Sequence, residues 1–418
     1  MHGDARRVER TYLLLTLSST LATSFIWGIN TLFLLDAGLS NVQAFAANAF
    51  FTAGQVIFEI PTGVVADTRG RRTSYLLGAA TLLGATLLYV AMWKLRAPMW
   101  GWAVASILLG LGFTFFSGAT EAWLVDALAF SGYRGQLETV FARAQAVTGA
   151  AMLVGAVGGG YIAEATNLGV PYLIRALFLG IAFLVAFLRM RELGFVPQHG
   201  EGPLDKVRVI LRASIESGWR RPPVRWLMLA SLFTGGVGMF GFYALQPYLL
   251  RLYGDERAYG IAGFLAAIIA ITQILGGLLA PRLHFLFSRR TPILIATTAL
   301  SAICMVVLAR TSSFAVAIGG VVIWGMAFAV AMPVRQAYIN GLIPSAQRAT
   351  VLSFDNLVGS AGGVVAQPAL GRVADVAGYP AAYLVCAVIQ LAALPFMAFA
   401  RRENAASDRI VGEEQARS

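Results

Sequence analysis

Five charged residues stand inside or at the ends of long apolar runs of this chain and are the groups whose chemistry would matter most: Glu59, Glu121, Arg143, Arg335 and Asp355. A carboxylate or guanidinium in hydrocarbon costs several kcal/mol, so an ionisable group there marks a functional site by default. Glu59 lies eight residues before Asp67, roughly 12 Å deeper at about 1.5 Å per helical residue. Glu121 is expected to face Arg143, and Arg335 to face Asp355, as two ion pairs with the signs exchanged between the chain halves. A pair lining a cavity can trade a proton for its partner, because protonating the carboxylate releases the arginine. The same pair also has a purely structural reading, in which each charge satisfies the other. Asp126 follows Glu121 by five residues, about 500° of helical rotation, so the two should serve different partners.

Neutral polar residues at matching positions, Asn30 and Gln246, are better suited to holding a ligand than to carrying protons. Trp27, Phe113, Phe116, Tyr243 and Trp324 would surround such a ligand with aromatic surface, although aromatics are also ordinary packing residues there. The three histidines and two cysteines are scattered, so neither a metal cluster nor a disulfide framework is expected. Nor is a membrane-embedded enzyme, which would need such residues clustered near an interface.

The elements that must position these groups are membrane-spanning helices. Of 418 residues, 58% are hydrophobic and 13% charged, against about 25% charged in soluble domains. Runs of about 20 apolar residues suffice to cross the hydrocarbon layer, and twelve are present. They are Thr11 to Leu35, Val42 to Ala66, Ser74 to Trp93, Trp100 to Leu124, Thr139 to Ala163 and Pro171 to Phe187, then Arg225 to Leu250, Tyr259 to Leu279, Pro292 to Leu308, Phe314 to Ile339, Leu352 to Val373 and Pro380 to Phe399. The runs are continuous rather than alternating, which excludes barrel strands. The fold expected is an all-α integral membrane protein.

The net charge of +11 is not a nucleic-acid signal, because the arginines gather in alternate loops rather than on a soluble face with stacking aromatics. By the positive-inside rule both termini are cytoplasmic, in a plasma (inner) membrane. The basic residues before Thr11 precede a run too long for a signal peptide, so the first helix is expected to be retained. The longest polar interruption separates residues 1–187 from 225–400 as two six-helix bundles. The linker 188–224 spaces Leu204, Val207, Leu211 and Ile215 as a surface amphipathic helix, and 401–418 form a tail.

The halves repeat. Asn30 maps to Gln246 and Gly38 to Gly254 at an offset of 216; Glu59 maps to Gln273 at 214, and Glu164 to Asp375 and Tyr172 to Tyr383 at 211. Between the second and third runs lies Gly63-x-x-x-Asp67-x-x-Gly70-Arg71-Arg72, a tight basic turn built to act as a conformational latch. Its second copy has decayed to Gly277-Leu-Leu-Ala-Pro281, and an echo, Gly371-x-x-x-Asp375-x-x-Gly378, follows the eleventh run.

Six plus six helices, a long central loop and this signature resemble the major facilitator superfamily of secondary transporters, over about Thr11 to Ala400, and within it the drug-exporter branch. The resemblance implies twelve transmembrane helices in two pseudosymmetric six-helix bundles, alternating access around a midplane cavity, and an ion pair between Asp126 and Arg71 beside the turn. Proton-linked exporters of this kind carry an arginine four residues before a glycine of the fourth span; here Ser106 precedes Gly110. They also carry a Gly-Pro pair in the fifth span, where this chain has Gly149, Gly155, Gly158, Gly159 and Gly160 without proline. The function implied is export of a small hydrophobic or amphiphilic molecule. It would be driven by the proton gradient without a bound cofactor, by a monomer whose partners are its substrate and the lipid bilayer. Proton-linked import of a nutrient is the alternative, and a non-transporting receptor or a lipid flippase are further ones.

Overall fold

Apolar runs of this length can satisfy their backbone groups in hydrocarbon only by closing i to i−4 hydrogen bonds, and the computed structural model of the chain is helical accordingly. It describes residues 2–410 apart from 117, 196, 198–207, 209–211, 213–214, 281, 283–285 and 345–346. The helices are α1 (His2–Trp27), α2 (Asn30–Asp36), α3 (Asn41–Arg69), α4 (Arg71–Leu95), α5 (Met99–Phe116), α6 (Ala119–Phe130), α7 (Leu137–Ala165) and α8 (Gly169–Arg189). After a π-helical turn at Ile215–Trp219 come α9 (Pro222–Tyr253), α10 (Tyr259–Leu279), α11 (Arg290–Arg310), α12 (Phe314–Asn340), α13 (Arg348–Ala392) and α14 (Leu394–Arg402). No strand occurs among the described residues beyond an isolated bridge between Arg289 and Arg409.

Ten of the helical runs are long and apolar enough to cross a membrane, and α1 with α2, bent by 52°, make an eleventh. The last run, Thr350–Arg402, has 53 residues, far more than one crossing needs. Gly378 breaks it with φ 81° and ψ 168°, and with that break the twelve expected crossings are present. The first departs from expectation at both ends. Its helix begins at His2 rather than Thr11, and its chain bends at Gly28 instead of running straight to Leu35. The central amphipathic helix expected from Leu204 to Ile215 falls largely outside the described residues.

Contacts divide the chain into two units. The first comprises Met1–Leu39, Phe50–Lys206 and Asp255–Ala267; the second comprises Ser40–Ala49, Val207–Gly254 and Ile268–Ser418. Each sequence half thus lends the opening turns of one helix, α3 or α10, to the other unit. In the first unit α1 packs on α7 and α8, and α4 on α5 and α8. The α1–α7 contact is backbone-close. A Cβ on Gly159 would lie 1.9 Å from the Phe25 carbonyl oxygen, so only glycine fits. The buried core of this unit centres on Tyr12, Leu15, Tyr75, Trp123 and Leu124. In the second unit α9 packs on α13, and α11 on α12 and α13, around Leu227, Met228, Ile293, Tyr338 and Val351.

Candidate functional site

Arg335 projects from α12 just past Pro333, and Asp355 from the second turn of α13. The structure joins them as the sequence predicts. Both terminal nitrogens of Arg335 donate to the carboxylate, Nη2 to Oδ1 at 2.5 Å and Nη1 to Oδ2. Nη2 also donates to the Leu227 carbonyl at 3.2 Å. Asp355 is 2% exposed and Arg335 20%, so this bidentate pair is largely withdrawn from solvent and strong for that reason.

Beside Arg335, within the same unit, is a cavity of about 80 Å³ walled by Trp324, Phe328, Gln390 and the hydroxyl side chains of Ser231, Thr234, Thr297, Thr298 and Ser301. The hydroxyl hydrogens are spent locally. Ser231 donates to the Met228 carbonyl at 2.7 Å, Thr297 to Ile293 at 2.8 Å and Ser301 to Thr297 at 2.8 Å. Their lone pairs remain as acceptors. Gln390 adds a buried Oε1 with no partner among the described residues. Arg335 is the cationic donor on a wall that otherwise combines these polar side chains with aromatic and aliphatic surface, a lining that suits a ligand with a polar end and an apolar body.

The first unit has its own polar centre, part of which the sequence reading missed. Arg175 on α8 is buried, donating through Nε to Thr86 Oγ1 at 3.0 Å and through Nη1 to the Ala22 carbonyl at 3.5 Å. It is the one charge between Pro171 and Phe187, and that isolation was the signal available. Nearby on the same helix, Tyr172 stacks on Phe33 with ring centroids 3.9 Å apart and donates to Asn30 Oδ1 at 2.9 Å. Asn30 is therefore held by a tyrosine. Ser106, at the position where the exporter pattern has arginine, is fully buried and shares a 2.5 Å hydrogen bond with Tyr89.

The remaining expected residues are dispersed. Glu59 and Glu121 are exposed on their helices. Arg143 does not meet Glu121: its Nη1 lies 2.5 Å from Glu9 Oε1. The extension of α1 back to His2, through the basic residues before Thr11, brings Glu9 alongside α7. Gln246 and Trp324 are buried, and Tyr243 and Trp27 are half-buried. Phe116 stacks on Tyr75 at 4.5 Å, and Phe113 packs edge-on against Phe51 at 6.0 Å.

At the turn, Arg71 pairs with Asp67 at 2.9 Å rather than with Asp126, which makes no ion pair among the described residues. Another carboxylate takes the turn instead. Glu192, beyond the end of α8, accepts from the backbone N–H groups of Arg71 and Arg72 at 3.1 and 2.9 Å. It caps the exposed N-terminus of α4, where a negative charge is favoured. Gly63 has open space around its Cα. Its echo is engaged: a Cβ on Gly371 would meet the Asn41 carbonyl and the Phe45 ring, each at 2.9 Å. Asp375 accepts from the N–H groups of Asn41 and Val42, both at 2.9 Å, within the second unit.

A family model described as Major Facilitator Superfamily matches residues 12–286 and 258–418. The MFS-type transporter YxaM of Bacillus subtilis (strain 168) is 22% identical over 376 residues, covering 86% of this chain and 88% of its own. Among solved structures, the nucleoside transporter NupG superposes with a TM-score of 0.78 at 10% identity, covering 94% of this chain and 98% of that one. A POT family transporter in complex with 5-aminolevulinic acid gives 0.71 at 12% identity, covering 95% and 96%. With the family model reaching both halves, and the helical architecture shared along nearly the whole length of these transporters, the chain belongs to the major facilitator superfamily and is a multi-pass membrane transporter.

Proposed function

We propose that this transporter exports a small amphiphilic molecule in exchange for protons by alternating access, with Arg335 and Asp355 as the coupling pair. The observation that carries the reading is the buried bidentate pair beside a cavity of hydroxyl acceptors and aromatic walls. With Asp355 ionised, the guanidinium is occupied by its carboxylate. A proton on Asp355 removes one negative charge and one acceptor, and Arg335 then becomes available to the cavity. Proton and substrate thereby act on the same arginine, which gives each a differential affinity for the two states of the pair, as coupling requires. Both termini are assigned to the cytoplasm, where the arginine-rich loops would lie.

A second reading is proton-linked uptake of a polar nutrient. It is favoured by the number of hydroxyl acceptors in the cavity and by the nucleoside transporter among the structural neighbours. Direction separates the two. Inside-out and right-side-out vesicles would be energised with a pH gradient and offered a panel of amphiphilic dyes, nucleosides and dipeptides. Export of an amphiphile predicts accumulation in inside-out vesicles with an acidic interior, and accumulation of a nucleoside or dipeptide in right-side-out vesicles with an acidic exterior would replace it by uptake.

A further inference from the structure

The arginine-rich end of the first unit holds a second cavity, of about 220 Å³, away from the residues assigned to transport. Arg7 on α1, Arg189 at the end of α8 and Arg191 just beyond it line this cavity, with Trp123, Phe130 and Ser131 closing it from α6 and the turn that follows. No carboxylate lines it among the described residues. The two acids nearest in sequence are engaged elsewhere, Glu9 by Arg143 and Glu192 by the N-terminus of α4. None of the three guanidinium groups makes an ion pair or side-chain hydrogen bond among the described residues.

Helices α6 and α8 both end here, but a helix terminus supplies only about half an elementary charge. Two such ends cannot offset three guanidinium groups. The frame is fixed: Trp123 Nε1 donates to the Arg191 carbonyl at 2.7 Å, and Glu192 pins the next residue to α4. Among the described residues the cavity therefore presents three cationic side chains with no counter-charge, the arrangement that recognises a phosphate oxyanion. Phe130 in its lining is 67% exposed, and Leu188, the residue before Arg189, is 64% exposed; both stand at the ends of membrane-crossing helices, where acyl chains lie.

We infer that this cavity is a binding site for the phosphate of an anionic membrane lipid, with the acyl chains on the Phe130 and Leu188 surface. A basic pocket between transmembrane helices at the interface is the physical setting such headgroups prefer. The site is independent of the direction and the coupling of transport.

The test is native mass spectrometry of the full-length protein in detergent, titrated with dioleoyl-phosphatidylglycerol or dioleoyl-phosphatidylcholine, with inorganic phosphate as a competitor. The expected result is tighter binding of the glycerol lipid, weakened about five-fold for each arginine removed in Arg7→Gln, Arg189→Gln and Arg191→Gln. The single variants change exposed side chains, so they keep the test valid if the triple variant fails to fold. Arg6→Gln, on the same helix but outside the cavity, should change the affinity by less than about two-fold, as expected of a screened surface charge. Equal binding of both lipids, or an undiminished preference in the triple variant, would overturn the site. Phosphate binding that depends on the three arginines without any lipid preference would overturn the lipid as occupant.

Discussion

Asp355 is the residue on which the coupling account turns, and its burial makes a sharp prediction about stability. Asp355→Asn leaves Arg335 without its counter-charge. Breaking a buried pair from one side costs about 3 to 5 kcal/mol, so the variant should unfold at markedly lower temperature while retaining its fold. A double replacement, Arg335→Met with Asp355→Leu, removes both charges and should recover most of that loss without recovering coupling. Thermal unfolding of the purified variants checks the first statement. Full stability in Asp355→Asn would show that the carboxylate contributes nothing as an anion. Arg143 behaves differently. Its side chain is 60% exposed and pairs with Glu9, so Arg143→Gln should change stability by less than about 1 kcal/mol, as surface ion pairs do.

Among the elements, one device recurs: a carboxylate from a distant segment capping a helix N-terminus. Glu192 caps α4 and Asp408 caps α11, the latter accepting from Thr291 N at 2.8 Å and Thr291 Oγ1 at 3.0 Å. Glu164 caps α10 through Gly260 N at 2.8 Å, and Asp375 caps α3. The four form two pairs related by the half-to-half repeat. Asp408 is 1% exposed, so Asp408→Ala loses a cap and strands a buried donor, at a cost of about 1 to 3 kcal/mol; chemical denaturation measures it, and an unchanged midpoint would contradict it. The turn motif and its echo share a backbone feature as well. Gly70 (φ 98°, ψ 156°) and Gly378 (φ 81°, ψ 168°) occupy a region that only glycine adopts freely. Asp67→Asn breaks the 2.9 Å pair with Arg71 but leaves the Glu192 cap, so transport should slow while substrate binding persists. Equal loss of both would make the turn part of the fold rather than a latch.

For the whole molecule, twelve crossings put both termini on one side of the membrane. A fluorescent protein fused at either end should therefore report the same compartment, and opposite reports would mean a miscounted span. Much of this architecture was legible because polar landmarks stand out in apolar spans. Asn30 with Gln246 and Glu164 with Asp375 disclosed the repeat, and the opposite charges of Arg335 and Asp355 in neighbouring spans disclosed their pairing. What stayed hidden depends on chain segments without periodicity. Glu9 sits among the basic residues before the first apolar run, and Glu192 and Asp408 lie in connections whose partners are more than a hundred residues away. Nothing local marks such a carboxylate as a cap. Arg175 was visible as a lone charge, yet its partners, a threonine hydroxyl and a backbone carbonyl, leave no mark in sequence.

The most direct test of the coupling claim is proton flux in proteoliposomes loaded with a pH dye, on addition of whichever panel compound the wild-type protein moves. The account predicts that the wild-type protein acidifies or alkalinises the lumen as substrate crosses. Asp355→Asn should abolish that flux and gradient-driven accumulation, while still exchanging labelled for unlabelled substrate at equilibrium. Undiminished substrate-driven proton flux in Asp355→Asn would contradict it.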